Sequence, residues 1–147
     1  VGFIGFGRIG LAVAQRMKAF CRNAPVLYYS RSEHPETANH LSPPAIYKST
    51  LQGVLSSSDI IFICCALNDE TRGMIDEKAL RLMKSGSILV NTSRGSIVVT
   101  DALIKALKEK WIAAAGLDVV DPEPIGEDHP LLQLRNCVVL PHIGSGA

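Results

Sequence analysis

"VGFIGFGRIG" (residues 1–10) is a short apolar strand running into G-x-G-x-x-G at Gly5, Gly7 and Gly10. Alone, that pattern is weak. Here it follows a strand and opens a helix, the context that dinucleotide binding demands. Gly5 permits the tight turn, Gly7 has no side chain to hold a pyrophosphate off the backbone, and Gly10 lets the helix pack closely on the strand. The helix N-terminus adds free N–H groups and a positive dipole end for phosphates. Arg8 and Ile9 sit in the same turn and join the glycines as expected cofactor contacts.

Outward from this turn, short apolar runs alternate with helical patterns. Residues 9–20 read as a helix, with Ile9, Val13, Met17 and Phe20 recurring at helical spacing. Residues 26–29 read as a strand, 31–45 as a polar loop with at most a broken helical turn, 46–48 as a weak strand and 51–55 as a short helix. A buried strand spans 59–65, and Asp76 reads as the N-cap of a helix through Met83. Further strands are expected at 88–91, 113–119 and 137–140. Thr100 reads as the cap of a helix whose Leu103, Ile104 and Leu107 share a face, and 121–136, with three prolines, reads as a long loop. Continuous apolar strands alternating with helices imply a parallel sheet covered on both faces. Right-handed crossovers then give an α/β, doubly wound Rossmann sheet, read as a single domain over 1–147.

The 147 residues are 47% hydrophobic and 20% charged, a soluble α/β composition with room for one core. A net charge of +1 with no basic run argues against nucleic acid as partner. The longest apolar run, 60–67, is too short to span a bilayer, and no signal peptide is evident. Cys21, Cys64, Cys65 and Cys137 lack metal-binding spacing, so no metal is expected. They read as reduced thiols of a cytoplasmic protein, with Cys64 and Cys65 on opposite sheet faces.

Sheets that bind NAD usually carry a carboxylate at the tip of the second strand, for the ribose hydroxyls. This chain has Ser30, Arg31 and Ser32 there. A guanidinium and two hydroxyls suit a 2′-phosphate, so NADP(H) is favoured. NAD(H) stays open, with Glu33 reaching back to the ribose. Three later strands each deliver one chemically capable residue to the ligand-binding edge: Arg94 in "VNTSRGSIV", Glu123 in "GLDVVDPEP" and His142 in "VLPHIGS". Reduction of a 2-oxo acid needs a cation for the carboxylate and carbonyl, which Arg supplies. It needs a proton donor, the role of His. A carboxylate bonded to an imidazole fixes its orientation and favours its protonated form.

These stretches, with "LNDETRGMI" and "HPLLQLRNCVVLPHIGS", resemble the NAD(P)-binding domain of the D-isomer-specific 2-hydroxyacid dehydrogenases, most of all its glyoxylate/hydroxypyruvate reductase branch. The resemblance implies that Arg94 binds substrate, that His142 is the catalytic histidine and that Glu123 is its partner. It places Asp118 near the nicotinamide and Thr92, Ser93, Cys65, Ala66 and Leu67 along the cofactor cleft. Thr71 and Gly144 complete the expected contacts. Relatives commonly form dimers, so a homodimer acting on a small 2-oxo or 2-hydroxy acid is expected. Family chains are about twice as long, built around a second domain before and after this one. On that reading the histidine only seems terminal, and the 147-residue piece binds cofactor with little turnover, because the cleft needs both domains. Two alternatives stay open: an NAD-dependent, phosphoglycerate-type dehydrogenase, and a dinucleotide-sensing corepressor-like protein.

Overall fold

The computed structural model describes residues 1–144; the last three residues of the 1–147 domain reading lie outside it. Seven parallel strands form one sheet: β1 (Gly2–Ile4), β2 (Leu27–Tyr29), β3 (Ile46–Tyr47), β4 (Ile60–Ile63), β5 (Ile88–Asn91), β6 (Ala114–Leu117) and β7 (Cys137–Val139). Their order is β3-β2-β1-β4-β5-β6-β7. The chain leaves β1 in one direction and returns at β4 to build the other half. This reversal is the topological switch point where open α/β sheets bind ligands. Register aligns Tyr29, Ile4, Ile63, Asn91, Leu117 and Val139 in one row along the carboxyl edge. Every expected site segment departs from that row or just beyond it.

Five α-helices join the strands: α1 (Arg8–Phe20), α2 (Pro35–Ala38), α3 (Leu51–Leu55), α4 (Glu77–Leu82) and α5 (Thr100–Lys108). One buried cluster joins Ile4, Ile61, Ile63, Leu89, Ala115 and Leu117 to residues of α3, α4 and α5. On the other face Phe3, Phe6, Ala14 and Tyr28 pack with residues of α2. Cys64 packs against this second cluster and Cys65 against the first, as the two-residue strand period requires.

Among the described residues, part of one sheet face stands open. Ile88, Val138 and Leu140 alternate with residues of the first cluster and stand 37%, 62% and 47% exposed. Among the described residues no helix covers this face of β5–β7.

Two local readings need correction. Helix α1 buries Gly10 and Ala14, while Ile9 and Phe20 are 64% and 85% exposed. Close approach to the sheet favours the small-residue face, so spacing alone named the wrong stripe. Thr100 does not cap α5; Val99 holds that position, and the Thr100 hydroxyl donates to the carbonyl of Asp121 at 2.8 Å. Asp76 does cap α4, accepting from the Ala79 N–H at 2.8 Å.

Candidate functional site

The glycine turn is built as its spacing requires. Gly5 has φ +86°, and a Cβ there would lie 2.6 Å from the Cys65 nitrogen, at the tip of β4. Gly10 packs so closely that its Cβ would lie 2.9 Å from the Gly5 carbonyl oxygen. Around Gly7 nothing lies within 4 Å of a Cβ position. Gly7 is also the N-cap of α1, with no side-chain cap and no acidic residue in the first turn. The first N–H groups of the helix are left for an anionic ligand.

A cavity of about 290 Å³ opens beside this turn. Its walls include Gly5, Gly7, Ser30, Arg31, Ser32, Cys65, Ala66 and Thr71. Gly10, Arg8 and Ile9 are outside its lining: Gly10 is buried, and Arg8 and Ile9 head α1 in the open. Leu67 is also outside its lining and packs, partly buried, against the first core cluster. Glu33 is absent from the walls. His34, Asn68 and Glu70 are present and were not expected; loop neighbours give no period to read them by.

Several hydroxyls in this region are already engaged. Ser30 donates to the Ser32 carbonyl and shapes the turn that carries Arg31. Thr71 donates to the Ala66 carbonyl at 2.8 Å and accepts from the Asn68 N–H at 2.8 Å. Ser93 donates to the Cys65 carbonyl, tying the tips of β4 and β5. Thr92 is exposed. Burial pushes the Cys64 thiol up to about 12 and raises that of Cys65, which leaves both poor nucleophiles.

Beyond the cavity, the tips of β5, β6 and β7 carry the three candidate reactive residues. His142 Nδ1 lies 2.7 Å from Glu123 Oε1, with both side chains 40% exposed. His142 adopts φ +54°, uncommon for a residue with a side chain. The following backbone is clamped by Asp118, whose two oxygens accept from the Ile143 and Gly144 N–H groups, each at 2.9 Å. Such a conformation persists only where neighbours over-determine it. Asp118, expected as a cofactor contact, is 6% exposed and serves here as that clamp. Gly144 fits against it: a Cβ would lie 2.6 Å from Asp118 Oδ2.

Arg94 is exposed on the neighbouring tip, and its guanidinium donates to the Ser93 carbonyl at 2.6 Å. Among the described residues no carboxylate pairs with it within 4 Å. The structure thus joins Glu123 to His142 directly and sets Arg94 one strand away, unbonded to either. Asn91 holds the Arg94 turn and escaped the sequence reading. It is 1% exposed, donates to the Arg94 carbonyl and accepts from the Ser93 N–H, each at 3.0 Å. A polar residue closing an apolar strand was its only trace. Among the described residues no cluster of three or more His, Cys, Asp or Glu could hold a metal ion.

A family model described as "D-isomer specific 2-hydroxyacid dehydrogenase, NAD binding domain" matches residues 1–144. A glyoxylate reductase of Thermococcus litoralis is 49% identical over 145 residues, which is 99% of this chain and 42% of that relative. The NADPH-dependent glyoxylate/hydroxypyruvate reductase of Sinorhizobium meliloti, solved with NADP and malonate, superposes with a TM-score of 0.88 at 33% identity. That match covers 99% of this chain and 43% of the other. A D-isomer specific 2-hydroxyacid dehydrogenase of Lactobacillus delbrueckii ssp. bulgaricus in its NAD-complexed form gives 0.86 at 37% identity, covering 97% and 46%. The chain therefore spans less than half the length of the proteins it matches.

Proposed function

The chain belongs to the D-isomer specific 2-hydroxyacid dehydrogenase family, and from that premise we propose that the intact protein reduces small 2-oxo acids. Glyoxylate, giving glycolate, is the first substrate and hydroxypyruvate, giving D-glycerate, the second, with NADPH favoured over NADH. The observation that carries this reading is the 2.7 Å Glu123–His142 hydrogen bond at the sheet edge that also presents Arg94 and the glycine cleft. An imidazole oriented by a carboxylate, near a guanidinium with no carboxylate partner among the described residues, is what 2-oxo acid reduction requires.

The cleft fits a dinucleotide. Gly7 leaves open space, the N-terminus of α1 faces it uncapped, and Ser30, Arg31 and Ser32 line the wall where a second ribose would lie. When bound, the nicotinamide cofactor supplies the hydride. The chain's own groups do the rest. Arg94 binds the substrate carboxylate and polarises the carbonyl to be reduced. Glu123 engages Nδ1 of His142, leaving Nε2 to give a proton to the new alkoxide oxygen. Asp118 keeps the strained His142 backbone in place. Arg31 has no carboxylate within ion-pair distance among the described residues, and it serves the 2′-phosphate.

The test uses the intact protein, a panel of 2-oxo acids and both cofactors, with wild type beside Arg31→Ala. Glyoxylate turnover should be fastest with NADPH. The substitution should weaken NADPH binding by about ten- to a hundredfold, the range for a hydrogen bond to a charged group, and leave NADH unchanged. Absence of turnover on every 2-oxo acid would end the reading. Equal loss for both cofactors would end its NADPH part.

A further inference from the structure

Arg94 and Glu123 follow different strands, and no bond joins their side chains, yet the proposed chemistry needs them in fixed relation. We propose that Asp121 is a positioning residue that ties the Arg94 turn to the Glu123 loop. This rests on the reading of Arg94 and Glu123 given above.

Three contacts support it. Gly95 lies so close to the β6 loop that a Cβ would sit 1.9 Å from the Val120 carbonyl oxygen and 2.7 Å from the Asp121 nitrogen. That approach brings Ser96 within reach of the carboxylate, and its hydroxyl donates to Asp121 Oδ2. On the far side, the Thr100 hydroxyl donates to the Asp121 carbonyl at 2.8 Å. Asp121 is thus held at both side chain and backbone by the segment that begins with Arg94. Two residues later Glu123 meets His142. At the other end Asn91 holds the Arg94 carbonyl, and the Ser96 carbonyl accepts from the Gly73 N–H at 2.8 Å. One run of contacts therefore joins the segment before α4 to the tips of β5, β6 and β7.

The role is mechanical, not electrostatic. Asp121 is exposed, and it forms no ion pair with Arg94 within 4 Å. Its carboxylate accepts from a serine hydroxyl rather than pairing with Arg94, so the guanidinium stays open to an anionic substrate. Small displacements of a group that holds substrate cost rate steeply, up to about a hundredfold for 1 Å.

The experiment compares wild type, Ser96→Ala, Asp121→Ala, the double variant and Asp121→Asn in the intact protein. Either alanine variant should lower kcat/KM for glyoxylate about tenfold, with NADPH affinity and Tm unmoved. The double variant should be no worse than Asp121→Ala, because both remove one bond. Asp121→Asn, which still accepts from Ser96, should recover most of the loss. Additive losses, no loss, or a loss that tracks Tm would overturn the proposal. If wild type turns over no 2-oxo acid, the functional reading fails, and amide exchange still decides the tie. Asp121→Ala should speed exchange at the Ile97 and Val98 amides, whose hydrogen bonds close the Arg94 turn; unchanged exchange there overturns it.

Discussion

Gly7 and Gly10 belong to one motif but answer to different forces, and substitution separates them. A methyl at Gly10 would meet the Gly5 carbonyl oxygen at 2.9 Å. That oxygen is backbone, so α1 must slide away from the turn. Alanine gains about 1 kcal/mol over glycine in helix propensity. Overpacking of about 1–3 kcal/mol outweighs it. Gly10→Ala should therefore lower stability by about 1 kcal/mol and weaken cofactor binding as the turn shifts. At Gly7 a methyl meets nothing of the protein, and φ −93° suits any residue. Gly7→Ala should cost only the N-cap advantage of glycine over alanine, about 0.5 kcal/mol of stability, and still lose cofactor affinity. Urea midpoints and NADPH titrations of both variants check the contrast. Equal effects on stability would show that Gly7 is packed after all.

Helices α4 and α5 are tied across their exposed sides by Glu77. Its carboxylate binds Lys105 of α5 at 3.2 Å and Arg81, one turn along α4, at 3.1 Å. Arg81 lies over the Trp111 ring at 3.6 Å, adding a cation–π contact beneath the pair. Lys105 and Arg81, in that order, hold the Glu77 carboxyl below its ordinary value of 4.5. A depressed folded-state value means that the contribution is complete above the unfolded value and is lost as pH falls through the folded one. The stability difference between wild type and Glu77→Gln should be constant above about pH 5 and be lost progressively as pH falls below the ordinary value, and salt should shrink it. Urea midpoints across that range test this; a difference that survives at low pH would assign it to packing. This tie also marks the limit of sequence reading. Strands, the glycine turn and the Asp76 cap were legible because their causes lie within a few residues. The placing of Arg94, Glu123 and His142 at the carboxyl edge was legible because each follows an apolar run. The Thr100 hydroxyl went instead to Asp121, 21 residues away, and Asn91 and Gly95 act through partners that only the folded chain supplies.

On the scale of the whole molecule, the sheet is unevenly clothed. Parallel sheets bury both faces, since their strands are apolar on both. Here α3, α4 and α5 cover one face, and α1 and α2 cover only the half around β1 and β2. Over β5–β7 the second face presents Ile88, Val138 and Leu140 to water. Contiguous apolar surface of that kind favours association. The same strip forms the flank of edge strand β7, whose tip carries His142, so a partner that covers it should also steady that candidate histidine. As a 147-residue chain, the protein should bind the dye ANS and show concentration-dependent self-association in sedimentation. The double substitution Val138→Lys with Leu140→Lys should abolish both while leaving the far-UV circular dichroism unchanged, because both side chains point away from the first core cluster. Amide exchange at Cys137, Val139 and Leu140 should slow as chain concentration rises. A chain that stays monomeric and dye-silent at high concentration would mean that this face is already protected, and the connection from sheet cover to His142 would fall with it.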